Sequence, residues 1–151
     1  MAVDQERTFA ALNILIDACY DGEKGFQSAA ECVKNHELKT LFRAYSSQRG
    51  QYAAELAYEV RRLGGQCAAG GTMTAALRRG WINLKAAVNG GDEKAIIVEC
   101  ERAEAEVRET YEAALRENLP AEIVALIQRQ FGGIREAYDR IQALQVAAAR
   151  L

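Results

Sequence analysis

Proline is almost absent from this sequence: Pro120 is the only one in 151 residues. A proline removes a backbone donor and breaks a helix interior, so nearly the whole chain is free to form long helices. Histidine is equally scarce, with His36 alone. No serine or cysteine nucleophile therefore has a usable imidazole beside it, and hydrolase chemistry is not supported. Neither sign of charge dominates, with 19 basic and 21 acidic residues, a formal charge of −2 and no block of like charge, which argues against a nucleic-acid or membrane surface. No apolar run reaches the ~18 residues that a bilayer requires. The opening MAVDQERTF lacks an apolar signal region, so a soluble, cytoplasmic protein is expected. The four cysteines, Cys19, Cys32, Cys67 and Cys100, make no CxxC and no Cys/His metal spacing, which predicts free buried thiols. The glycine pairs follow no strand pattern, which argues against a phosphate loop.

What is present is alanine and helical periodicity. Half of the residues are apolar, and the length suits one domain over residues 1–151 with a core of its own. The first helix is predicted from Asp4, as N-cap, to Lys34. Its seam is Phe9, Leu12, Ile16, Cys19, Glu23, Phe26, Ala30 and Val33 at steps of three and four. Gly22 and Gly25 flank the one glutamate of that seam, a weakness that predicts close approach by another helix. Asn35 caps a second helix, His36 to Leu63, with Leu38, Phe42, Tyr45, Arg49, Tyr52, Leu56, Glu59 and Leu63 inward and Gly64-Gly65 as its stop. A short helix follows, introduced by Gly70, Gly71 and Thr72 and running from Met73 to Val88, with Leu77, Trp81 and Leu84 as core. Arg78 and Arg79 form its solvated face. Asp92 to Asn118 is the next helix and Ala121 to Arg150 the last, with Pro120 in its first turn and a seam from Ile127 to Leu151. The architecture is all-α: an antiparallel four-helix bundle with a short extra helix in the long crossover between the second and third long helices.

The interior is expected to carry charge. Ile97, Glu101, Glu104, Arg108, Tyr111 and Leu115 lie on one helical stripe. In a hairpin turning near His36, Glu23 comes level with Arg49, and in one turning near Leu119, Glu101 comes level with Tyr138. A buried charge needs a partner. The predicted network therefore comprises Glu23, Arg49, Tyr52, Glu101, Glu104, Arg108 and Tyr138, with Glu23 paired to Arg49 and Arg108 neutralising Glu104 or another interior glutamate.

The stretch LNILIDACYDGEKGFQSAAE at Leu12 to Glu31, with Glu55-Leu56, Arg62-Leu63-Gly64-Gly65, Arg79-Gly80-Trp81, Glu99-Cys100-Glu101 and Leu119-Pro120, resembles an uncharacterised bacterial ferritin-like family of unknown function. That family is related at fold level to rubrerythrins, and the similarity covers essentially the whole chain. The resemblance implies a ferritin-like bundle and, by analogy, a di-iron carboxylate site. Such a site uses two glutamates and two Glu-x-x-His motifs, and this chain has no Glu-x-x-His. Glu23 and Glu55 would stand about six residues, roughly 9 Å, apart along the axis. No metal or cofactor is expected. The alternative is an iron-binding protein or di-iron oxidase or peroxidase using Glu23, Glu55, Glu101 and Glu104. The reading reached from the residues is a bundle without catalysis that acts by self-assembly, as a homo-oligomer such as a dimer, or by binding a partner.

Overall fold

The computed structural model describes residues 2–67 and 74–149. Five helices follow in order: α1 (Ala2–Cys32), α2 (His36–Arg62), α3 (Ala75–Gly90), α4 (Glu93–Leu115) and α5 (Ala121–Ala149). No strand occurs among the described residues. The boundaries follow local chemistry. The Asn35 side chain accepts from the Leu38 N–H at 3.0 Å and caps α2. Gly64, at φ 86°, takes the left-handed turn that follows that helix. Gly91, at φ 72°, closes α3, and Asp92 caps α4 by accepting from Lys94 N–H. The Pro120 carbonyl accepts from Ile123 and Val124, opening α5 where proline's missing donor costs nothing.

Some predicted ends move. Asp4 lies inside α1 rather than capping it, since helix already includes Ala2 and the Asp4 carbonyl accepts from the Thr8 hydroxyl. Thr74 caps α3 through the Leu77 N–H; the predicted lead-in at Gly70, Gly71, Thr72 and Met73 lies outside the described residues. α4 stops at Leu115, where the chain tightens through Arg116 N–H to the Ala113 carbonyl. The last predicted seam positions, Ala148 and Leu151, also fall outside the described side chains.

Helix directions follow from the pairs that touch. Gln5 reaches Leu63, and Phe26 stacks near Phe42 and Tyr45, so α1 and α2 are antiparallel. Tyr111 meets Gln130 and Glu101 meets Tyr138, so α4 and α5 are antiparallel. Cys19 meets Tyr111, and Glu93 accepts from the backbone at Lys34 and Asn35, which sets α4 antiparallel to α1. Hence α2 and α4 point the same way, and the chain between them must return along the bundle. α3 makes that return, lying against α1 and α4. Gly25 takes Trp81 and Leu84 where a Cβ would come within 2.9 Å of both. On α3's other side Gly80 lets its backbone approach Ala103.

The core divides into two apolar regions. One gathers Leu12, Leu15, Ile16, Leu56, Val60, Ile123, Ile127 and Ile134. The other gathers Phe26, Val33, Phe42, Leu84, Ile96, Ile97 and Ile141. Fully burying such a side chain stabilises by about 1.5–3 kcal/mol each. Of the predicted buried thiols, Cys19 and Cys100 are buried, while Cys32 is exposed and Cys67 only half-buried. Cys32 stands at the end of α1, and Cys67, beyond α2, packs only in part against the core.

Candidate functional site

The polar centre is built around Arg49. Its side chain rises from α2 between the two apolar regions and is fully buried, as is Glu104 on α4, at 0% and 2% exposure. Gly22 makes the passage possible, because a Cβ there would sit 3.3 Å from Arg49 Cγ. Nη1 donates to Glu104 Oε1 and Nη2 to Glu104 Oε2, both at 2.5 Å. Nε donates to Gln48 Oε1, and the guanidinium lies 5.3 Å from the centre of the Phe26 ring. Burial by itself would lower the arginine's pKa, but the charge and hydrogen bonds of Glu104 outweigh it and hold the group above its ordinary value. The fork geometry of a guanidinium on a carboxylate fixes both side chains.

Arg49 is therefore level with Glu23, as the hairpin geometry requires, yet it is bonded to Glu104 and not to Glu23. The Glu23 carboxylate lies half-buried against Gly50, in space a Cβ at that position would need. The predicted Arg108–Glu104 pairing is corrected as well. Arg108 is 40% exposed and binds Glu112 one turn along at 3.1 Å, with its guanidinium over the Tyr138 ring. Tyr138 donates to Glu101 at 3.5 Å, which places that pair at the level expected from the turn.

A second chain of contacts runs from the core to the surface. Tyr111 donates its hydroxyl proton to Gln130 Oε1 at 2.8 Å, and Cys19 Sγ lies 3.2 Å from the same hydroxyl. The phenol's one proton is committed to Gln130, so the Cys19 thiol is the donor in that contact. Gln130 in turn donates to the Tyr52 carbonyl and to Glu55 Oε1, while Glu55 Oε2 accepts from Arg129. Burial pushes the Cys19 thiol up to about 11 and raises Tyr111 well above the usual phenol value. Burial, aided by the charge of Glu104, also raises Cys100. None of these groups is a nucleophile near neutrality. Cys19, Tyr111 and Gln130 are missing from the predicted network. Gln130 was legible as the polar residue between Ile127 and Ile134 on an apolar seam.

Three of the four glutamates considered as iron ligands are engaged by other side chains. Glu104 is held by Arg49, Glu55 by Arg129 and Gln130, and Glu101 meets Tyr138. Among the described residues no three His, Cys, Asp or Glu side chains gather closely enough to hold a metal ion.

Beside the ion pair lies a small cavity under α3. It is lined by Ala18, Asp21, Phe26, Leu77, Trp81 and Leu84, with Glu104 among its polar wall. Asp21 Oδ2 is buried and has no hydrogen-bond partner among the described residues. Burial raises the Asp21 pKa from 3.8, the charge of Lys24 opposing the rise and that of Asp17 adding to it. Nothing in the periodicity marks Asp21, because it lies off the α1 seam.

No helix of the described chain is long and apolar enough to cross a membrane. A search of curated proteins finds no match. A family model described as "Domain of unknown function (DUF2383)" matches residues 7–117, which include most of α1, all of α2, α3 and α4, and both partners of the Arg49–Glu104 pair. With its central ion pair and most of its length inside that match, the chain belongs to the DUF2383 family.

Proposed function

We propose that this chain is a ferritin-like bundle, one domain over residues 1–151, that has no catalytic centre and works in the cytoplasm by binding, first of all to a second copy of itself. The up-down-down-up order of α1, α2, α4 and α5 supports the ferritin-like reading. The observation that carries the rest is the bidentate Arg49–Glu104 pair. A guanidinium spends both oxygens of the fully buried Glu104, and the neighbouring tyrosine, thiol and amide satisfy one another, so the groups of this central network are committed to each other rather than to catalysis.

Self-association is supported by a groove between α1 and α4. Ala10, Ile14 and Ala113 give it an apolar floor, and Arg7 and Arg116 stand there beside Glu106, Glu109 and Glu117. A surface that carries both signs can meet its own two-fold copy with acids against bases. Sedimentation of the full chain over a range of concentrations tests this. A dimer that Ala113→Glu dissociates is expected, and a monomer at every concentration overturns the reading. Iron loading tests the rival. Binding far below one iron per chain is expected, whereas about two irons per chain with a ferric absorption band would make this a di-iron oxidase or peroxidase candidate.

A further inference from the structure

The cavity under α3 is unfinished. Two buried carboxylate oxygens, Asp21 Oδ2 and Glu99 Oε2, have no partner among the described residues, and of the two only Asp21 lines this cavity. Such an atom costs stability, and its persistence calls for an explanation. The cavity has about 40 Å³ of room. A water needs roughly 10–15 Å³ on the same measure, so the space suits a molecule of a few non-hydrogen atoms. Its walls are otherwise apolar and aromatic, with Phe26 and Trp81 prominent, and no basic residue lines it. The second acid on the wall, Glu104, is already neutralised by Arg49.

We propose that this cavity binds a small organic cation, an alkylammonium of a few non-hydrogen atoms, with Asp21 as counter-ion and Trp81 and Phe26 as its apolar and aromatic walls. An anion is excluded by the acidic lining. A neutral apolar guest would leave the Asp21 oxygen unpaired. A metal ion would lack ligands, since no third donor joins the two acids. An ammonium supplies the missing hydrogen bond and charge to Asp21, and its short alkyl chain replaces water against the aromatic rings. Lys24 does not fill this role: it is exposed on α1 and forms no ion pair with Asp21. The glycine at 25 seats Trp81 and Leu84 tightly on α1, so the wall is a built one.

Trp81 is the chain's only tryptophan, so its fluorescence reports the cavity directly. The full chain is titrated with ethylammonium, with ethanol and with benzylammonium, at constant ionic strength, and thermal unfolding is followed in parallel. Ethylammonium should shift Trp81 emission saturably and raise Tm, while ethanol and the bulkier benzylammonium should do neither. Asp21→Asn should bind ethylammonium at least about tenfold more weakly while remaining folded. No saturable response in the natural chain, equal binding of ethanol, or undiminished binding by Asp21→Asn would each overturn the proposal.

Discussion

Glu104 and Asp21 stand on the wall of one cavity and are treated in opposite ways. Glu104 is fully buried and has both oxygens on a guanidinium. Asp21 is only half-buried, yet one of its oxygens is sealed from water with no partner among the described residues. Deep burial without a partner is too costly to persist, so the first acid is locked by the chain itself. Shallower burial can leave an oxygen unanswered, and that difference separates structural charge from charge available to a ligand.

The sharpest way to break this contrast is Arg49→Ala, which strands Glu104 in the core. A loss of about 3–5 kcal/mol is expected by denaturant unfolding. Replacing both partners, Arg49→Met with Glu104→Met, should recover most of that loss, because the pair's desolvation goes with it. If the double variant is as unstable as the single one, the pair is not what Glu104 requires. Gly25→Ala comes next. Its methyl would press on Trp81 and Leu84, and an overpacking cost of about 1–3 kcal/mol exceeds the helix gain of roughly 1 kcal/mol, for a net loss near 1 kcal/mol.

Asp21→Asn should move stability the other way, upward at neutral pH by less than about 1 kcal/mol, since solvent screens a half-exposed group. The sign follows from the raised pKa. Burial favours the protonated acid, so its contribution is complete below 3.8 and is lost as pH rises through the higher folded value. The gap between variant and natural chain should therefore open as pH climbs from 3.8, and a constant gap in unfolding measurements across that window would deny Asp21 its role. The smallest effect is expected for Glu23→Gln, within about 0.5 kcal/mol, because Glu23 is half-buried and does not hold Arg49.

That last expectation reverses what the sequence suggests, and the reason is physical. Helix ends were legible at Asn35, Gly64, Asp92 and Pro120, because caps and breakers act within a few residues. Axial levels were legible too: Arg49 does lie beside Gly22, and Glu101 does meet Tyr138. Periodicity places a residue on a face and a turn places it at a height. Neither says how one hairpin rotates against the other, and that rotation chose Glu104 over Glu23. Asp21 stayed hidden for a related cause, since only the seating of α3 turns a position off the seam into a cavity wall.

The two ends of the central pair are separated by 55 residues and belong to different hairpins. Within its own hairpin the carboxylate at Arg49's height is Glu23, which lies against Gly50. The bundle centre is thus completed only across the two hairpins, because the acid that holds Arg49 comes from α4. Such a two-bond contact forms only when both halves are correctly rotated, so the Arg49–Glu104 fork ties the buried charge to one relative setting of the hairpins.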